Sequence, residues 1–354
     1  MLPELGRDFG VSPGTASLSL TTYVVPFAAV MLVSGTLGER WGRARSIRLA
    51  YVLFVASSLA CALAPDWGLF LGARALQGVA NAFTTPLLMA ALAASVRPGE
   101  LGRVLGGYSA LQAAGQTSAP LLGGLAAEGN WRFAFAGVAL AAVLLAAVGL
   151  PADDRAAGPD PRARPSLRSA WTPAVLRLGA VGALGWGCLA GLGFLLVLRL
   201  DDVFALPPGL RGLVLTSLGV VGILTARLIG TAVDRLGGRR CVVVGSLAGG
   251  LIVVGLGTAP VLWMIVVLWA LAGAASQLIV VGVNTLVLGG PGANRSGAVS
   301  AVQALRFAGF ATAPAVLPPV YHADPVAAFV APAALLVVGT PLLLPGRTAG
   351  RRGS

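Results

Sequence analysis

The sequence predicts an all-α integral membrane protein built from two homologous halves, and three observations carry that prediction. Apolar residues make up 56% of the 354 residues and charged residues only 11%, at a mean hydropathy of +0.86; soluble domains carry about 25% charged residues. The apolar residues fall in long uncharged runs, such as Phe9 to Gly38, and about 20 helical residues cross the roughly 30 Å hydrocarbon core. A short charged signature occurs twice: Gly-Thr-Leu-Gly-Glu-Arg-Trp-Gly-Arg from Gly35 and Gly-Thr-Ala-Val-Asp-Arg-Leu-Gly-Gly-Arg-Arg from Gly230. That spacing is far too wide for a solenoid repeat of roughly 20 to 50 residues, so the signature marks a duplicated half.

Charge clusters and Pro/Gly clusters divide the chain into eleven helices. The first, 15–37, ends at the charged signature, and 47–64 follows its arginines and stops at Pro65 and Asp66. Next come 69–93, closed by Arg97 and Pro98; 104–127, closed by Glu128; and 133–150, closed by Pro151. After a polar stretch come 175–198, ending before Asp201 and Asp202, and 210–232, which runs into the second signature. Helices 242–259 and 261–288 meet at Pro260, and 297–320 and 326–344 meet at Asp324. Helices are required because lipid leaves no partner for open backbone, and the runs are too long for barrel strands.

Arginine bias orients the spans, since basic loops stay on the cytoplasmic side. Alternate loops hold Arg40, Arg43, Arg45 and Arg48, then Arg97 and Arg103, then Arg155 to Arg168, then Arg235, Arg239 and Arg240, then Arg295, then Arg347 to Arg352; these are inside. The intervening loops carry little net positive charge and are outside. The expected organisation is an N-terminal bundle (1–150), a flexible cytoplasmic linker (151–170), a C-terminal bundle (171–346) and a cytoplasmic tail (347–354).

All 25 basic residues are arginines, and the formal charge is +12. Because they cluster between apolar runs, the charge records topology and not nucleic-acid binding. Cys61, Cys188 and Cys241 form neither a metal spacing nor a disulfide framework, so no metal, no cofactor and no enzymatic constellation is expected. The first residues also lack the basic start and short apolar core of a signal peptide.

Gly35, Leu37, Glu39, Arg40, Gly42 and Arg43 resemble the G-x-L-x-D-R-x-G-R-[RK] loop of the major facilitator superfamily, with Glu39 for the usual Asp and Ala44 for a basic residue. Gly230, Asp234, Arg235, Gly237, Arg239 and Arg240 resemble its second copy. Arg74, Gln77 and Gly78 resemble the fourth-helix motif. Gly115, Ala119, Pro120, Gly123 and Gly124 resemble the fifth-helix G-x-x-x-[GA]-P-x-x-G-G associated with proton-coupled exporters. Trp131, Arg132 and Phe135 match the W-R-x-x-F that follows, and Gly309, Ala313 and Pro314 repeat the fifth-helix core. The resemblance points to twelve-span drug:proton antiporters. It implies the major facilitator fold with about eleven transmembrane helices (5 + 6), because Leu2 to Ala16 matches an outer loop and the first helix is then absent.

The resemblance further implies a monomeric transporter in the bacterial cytoplasmic (inner) membrane. It would export lipophilic or cationic small molecules against protons by alternating access; a sugar or metabolite transporter of this fold and a truncated, non-transporting membrane protein remain alternatives. Glu39, Arg40 and Arg43 are expected to form a cytoplasmic latch, Glu39 accepting hydrogen bonds from a neighbouring helix N-terminus, with Asp234, Arg235 and Arg239 as its counterpart. The glycines from Gly35 onward are expected to allow the turn and close helix approach, and the Gly115 to Gly124 face to form a helix pivot.

Arg74 sits about 7 residues inside a span and needs a cavity or a partner; Arg306 and Arg227 invite the same question. Gln77, Asn81, Gln112, Gln116, Gln277 and Asn284, with Tyr23 and Gln303, are the other candidate cavity residues, and Trp186 and Phe194 the aromatic surfaces. No acid lies deep in a span, so Arg74 is expected to be unpaired and the proton carrier is not among the visible carboxylates.

Overall fold

The computed structural model describes residues 2–11, 13–16, 18–97, 99–148, 166–206, 208–290 and 294–345. Most of the expected linker, 151–165, and the tail at 347–354 lie outside them. Among the described residues every regular element is helical. Two short helices open the chain, α1 (Leu2–Phe9) and α2 (Pro13–Ala16), followed by α3 (Leu18–Trp41), α4 (Arg43–Leu63), α5 (Trp67–Ser95), α6 (Leu101–Gly129) and α7 (Arg132–Val148). A 3-10 turn at Leu167–Ala170 leads to α8 (Pro173–Gly185), a π turn at Trp186–Ala190 and α9 (Gly193–Asp202). Then come α10 (Pro208–Leu236), α11 (Gly238–Thr258), α12 (Leu262–Leu288), α13 (Arg295–Ala323), α14 (Pro325–Ala334), a second π turn at Leu335–Gly339 and α15 (Thr340–Leu343).

Among the described residues, eight stretches are long and apolar enough to cross a bilayer when Pro173–Leu200 and Pro325–Leu343 each count as one. With the shorter apolar α7 and the 29-residue α6 and α13, the eleven expected spans are accounted for. Helix ends follow the local chemistry. Asp66 caps α5 by accepting from the Leu69 N–H (2.9 Å), Thr172 caps α8 from the Val175 N–H (3.3 Å), and Asp324 caps α14 from the Val326 and Ala327 N–H groups. Each supplies an acceptor to donors that a helix start leaves without one.

The signatures differ from expectation in one respect. The segment from Gly35 is helical as far as Trp41, and the segment from Gly230 as far as Leu236. Only Gly42 (φ 93°) and Gly237 (φ 86°) make the turns, in a backbone region that glycine enters without strain. The earlier glycines serve the close approach: a Cβ at Gly35 would overlap the Ser296 carbonyl, and one at Gly230 would lie 2.7 Å from the Gly102 carbonyl oxygen.

The described contacts form two compact units, and each draws on both sequence halves. One comprises Met1–Arg97, Leu111–Trp171 and Gly290–Ala304; the other comprises Pro98–Ala110, Thr172–Gly289 and Leu305–Ser354. In the first, α5 packs on α3 and α4, and α7 on α4. One end of that unit is closed by an aromatic cluster of Phe9, Trp67, Phe70, Trp131 and Phe135. Asp8 accepts from the Trp131 indole (3.1 Å) and pairs with Arg132 (2.9 Å), while Arg132 also donates to the Ala62 and Ala64 carbonyls at the end of α4. Those carbonyls lack helical partners, so the W-R-x-x-F element fastens α4 to α7. In the second unit α12 packs on α10 and α11, and α14 on α11.

Candidate functional site

Three clusters of polar side chains stand out within the apolar helices. The first surrounds Glu39, two residues before the end of α3. Its carboxylate accepts from Arg43 Nε (3.0 Å) and Nη2 (2.6 Å) across the Gly42 turn, and from the Ser296 hydroxyl in the first turn of α13. One and two turns further into α3 the contact continues: Ser34 Oγ lies 3.3 Å from Ser300 Oγ, and the Ser300 hydroxyl donates to the Met31 carbonyl. Asn294 completes the cluster. Its Oδ1 caps α13 by accepting from the Gly297 N–H (3.0 Å), and its Nδ2 donates to Thr36 Oγ1 (2.9 Å) and Ser169 Oγ (3.1 Å).

The second signature reaches a comparable contact by different chemistry. Asp234 accepts from the backbone N–H groups of Gly102 (2.6 Å) and Arg103 (2.8 Å), the first turn of α6. An anion there meets free N–H donors and the positive end of the helix dipole, worth about 0.3–1 kcal/mol when exposed and more when partly buried. Gly238 stands where Arg43 stands in the first copy, so this acid has no arginine four residues on. Arg239 instead donates to the Pro345 carbonyl, and Arg40 and Arg235 are exposed. The expected helix-terminus contact therefore belongs to Asp234, while Glu39 is held by side chains.

The second cluster centres on Arg74 in α5. Arginine at membrane depth costs at least about 2.5–3.5 kcal/mol on insertion scales, so its surroundings matter. As expected from the sequence it has no carboxylate partner among the described residues, but neutral groups surround it. Its Nε donates to the Ser19 carbonyl (3.3 Å) and its Nη1 to Gln77 Oε1, and the guanidinium lies 4.5 Å over the Tyr23 ring. Gln77, 2% exposed, passes the network to Ser58 (2.7 Å), and the Tyr23 hydroxyl accepts from Asn81 Nδ2 (2.6 Å). Neutral acceptors of α3 and α5 and the rings of Tyr23 and Phe135 thus solvate this cation, with no carboxylate among the described residues.

The third cluster lies where α13 meets the π turn. Arg306 is 6% exposed; its guanidinium sits 4.1 Å from the Trp186 ring centroid and 5.8 Å from that of Phe307, and its buried Nε has no hydrogen-bond partner among the described residues.

Comparison with known proteins decides the family. Residues 1–314 match the model of the Major Facilitator Superfamily. The chain belongs to that superfamily. This superfamily member is 30% identical over 261 residues to the uncharacterized MFS-type transporter YybF of Bacillus subtilis, the match covering 67% of the chain and 61% of YybF. It is 34% identical over 165 residues to the drug efflux pump JefA of Mycobacterium tuberculosis, covering 45% of the chain and 32% of JefA. The matched parts thus amount to less than two thirds of either relative. The crystal structure of the human organic anion transporter MFSD10 (TETRAN) superposes with a TM-score of 0.75 at 19% identity, over 97% of this chain and 88% of that one, which shows the fold.

The structure scatters the remaining sequence candidates of this superfamily member. Gln112 is half-buried and Gly115, Gln116 and Ala119 are exposed on α6, whose backbone also carries Pro120, Gly123 and Gly124. Gln277 and the buried Asn284 lie on α12, with Gln277 Oε1 buried and unbonded among the described residues. Arg227 is exposed on α10. Sequence reading missed Ser296, Ser300 and Asn294, which join α3 to α13. The signal was present: a potential Asn cap followed by serines four apart at the start of an apolar helix.

Proposed function

We propose that this superfamily member is a secondary transporter of the bacterial cytoplasmic membrane that exports lipophilic small molecules in exchange for protons, working by alternating access. The observation that carries the reading is the paired acid contact. Each signature acid grips the first turn of a helix belonging to the opposite sequence half, Glu39 on α13 and Asp234 on α6. Contacts of this kind, at the arginine-rich cytoplasmic ends of the helices, suit a latch that closes while substrate leaves on the other side and opens to admit it. The export sense is supported by the efflux-pump name of JefA, and proton exchange by the fifth-helix pattern carried on α6. Of the lipophilic and cationic classes the lipophilic is favoured, because among the described residues every Asp and Glu lies near a helix end, in a short helix or between helices, and none waits deep inside a span for a cation.

The test is accumulation of the neutral dye N-phenyl-1-naphthylamine by everted membrane vesicles containing the chain. Respiration should drive accumulation, an uncoupler should abolish it, and Glu39→Gln should reduce it. Accumulation indifferent to the uncoupler would remove proton exchange; none above vesicles lacking the chain would remove the transporter reading.

A further inference from the structure

We propose that Arg306 and the rings packed on it form a binding site for the anionic group of an amphipathic substrate, a carboxylate or sulfonate on an aromatic body. The proposal rests on the transporter reading and names its substrate class. Arg306 lies in the interior of the 29-residue α13 and is almost wholly enclosed, yet no carboxylate pairs with it among the described residues. Among the described residues the ionisable group that acts on it electrostatically is the Tyr108 phenol. Trp186 covers a face of the guanidinium, and a π face attracts the cation without satisfying the N–H donors in its plane. The buried Nε, without an acceptor, is such a donor. Arg74 shows the contrast in this chain, with Ser19 and Gln77 as acceptors; Arg306 has a comparable ring contact and, among the described residues, no acceptor at its Nε.

The local backbone supports a ligand site independently. Trp186 opens the π turn Trp186–Ala190 that interrupts α8 and α9, and π turns inside helices occur frequently at functional sites. This irregular stretch is brought tightly against α13. A Cβ added at Gly187 would lie 2.7 Å from the Gly309 carbonyl oxygen, and one added at Gly309 would overlap the Ala183 carbonyl. Rings then continue outward from Trp186 to Phe310 (5.8 Å) and from Phe310 to Phe194 (6.0 Å), which is 44% exposed. An aromatic body stacked along these rings would place its anionic group in the plane of the guanidinium, where charge-assisted hydrogen bonds are strongest.

The test uses the purified full chain in lipid nanodiscs and three fluorescent probes that differ in charge: 9-anthracenecarboxylate, its neutral carboxamide, and 9-anthracenemethylammonium. The carboxylate should bind at least about tenfold more tightly than the carboxamide, and the ammonium more weakly than either. Arg306→Gln should abolish the preference and Arg306→Lys should keep part of it. Trp186→Phe, a milder change, should leave the preference and reduce energy transfer from tryptophan to the bound anthracene, an effect that a purely structural role for Trp186 would not produce. Equal affinities, preference for the ammonium, preference surviving Arg306→Gln, or no probe binding would each overturn the proposal. Uncoupler-sensitive accumulation of N-phenyl-1-naphthylamine without carboxylate binding would overturn this site alone, whereas carboxylate binding without accumulation of any probe would overturn the exporter reading alone.

Discussion

Glu39 near the end of α3 accepts a hydrogen bond from the Ser296 hydroxyl in the first turn of α13, and the same carboxylate holds Arg43 beyond the Gly42 turn. One acid therefore fixes both the direction in which α4 leaves and the helix against which α3 rests. Glu39→Gln keeps the shape and removes the charge, so it weakens charge-assisted bonds worth about 1.5–3 kcal/mol each. The expected result is about a tenfold loss of dye accumulation in everted vesicles. Ser296→Ala, which spares the Arg43 pair, should lose less than half as much on a free-energy scale. Equal losses would mean that the Arg43 pair contributes nothing.

Asp234 caps α6 through the two backbone N–H groups of Gly102 and Arg103. Removing a capping acceptor costs typically about 1 kcal/mol, so Asp234→Ala should lower the thermal midpoint of the purified protein measurably. Asp234→Asn retains an acceptor and loses only charge, so it should recover more than half of that shift. Glu39 offers the contrast: Glu39→Gln should be the more damaging neutralisation, because its partners include a guanidinium. If Asp234→Asn were as harmful as Asp234→Ala, charge and not capping geometry would be the main effect.

Gly35 and Gly230 are sites where the helices touch backbone to backbone. A Cβ at Gly35 overlaps the Ser296 carbonyl, which cannot rotate away as a side chain would, and overpacking of this sort costs about 1–3 kcal/mol. Gly35→Ala should therefore uncouple α3 from α13 and impair transport. Gly72→Ala and Gly107→Ala, where nothing lies within 4 Å of the added atom, should leave transport unchanged. Comparable losses at all three positions would show that general helix flexibility, not close approach, is what the glycines supply.

The helices were legible because lipid imposes one rule, that apolar runs must be helical, and charge and proline mark their ends. The expected span 47–64 is α4, Arg43–Leu63, and the expected 261–288 is α12, Leu262–Leu288. The signature's helical state was not legible. Glycines in sequence read equally as turns or as close contacts, and only the partner distinguishes Gly42, which turns, from Gly35, which touches Ser296. The partners of Arg74 were hidden for a related reason. Charge pairing is visible in a sequence, whereas a carbonyl such as that of Ser19 and a ring face such as that of Tyr23 become ligands only once α3 and α5 are packed.

The Arg74 network can be taken apart one partner at a time. Tyr23→Phe keeps the ring under the guanidinium and removes the acceptor of Asn81 Nδ2, so it should cost about 0.5–1.5 kcal/mol, the worth of one hydrogen bond. Tyr23→Leu also removes the π face and should cost more. Arg74→Lys, which cannot bond Ser19 and Gln77 from one planar fork, should be nearly as disruptive as Arg74→Gln. Full stability in Arg74→Lys would reduce this residue to a plain positive charge.

Asn294 links three segments through one amide. Its Oδ1 caps α13 at Gly297, while its Nδ2 donates to Thr36 in α3 and to Ser169 in the 3-10 turn Leu167–Ala170. Asn294→Ala removes both functions, whereas Asn294→Asp keeps the cap and replaces the donor by an acceptor. If the cap alone matters, Asn294→Asp should restore stability and transport fully, since Asp and Asn cap about equally well. The geometry argues otherwise. The Nδ2 bonds at 2.9 and 3.1 Å are as short as the capping bond at 3.0 Å, and an aspartate has no N–H to offer the two hydroxyl oxygens now accepting from the amide. Asn294→Asp should therefore restore only part of the thermal midpoint lost in Asn294→Ala and leave dye accumulation low. It should also make the linker near Ser169 more open to proteolysis, a readout that loss of the cap alone would not change.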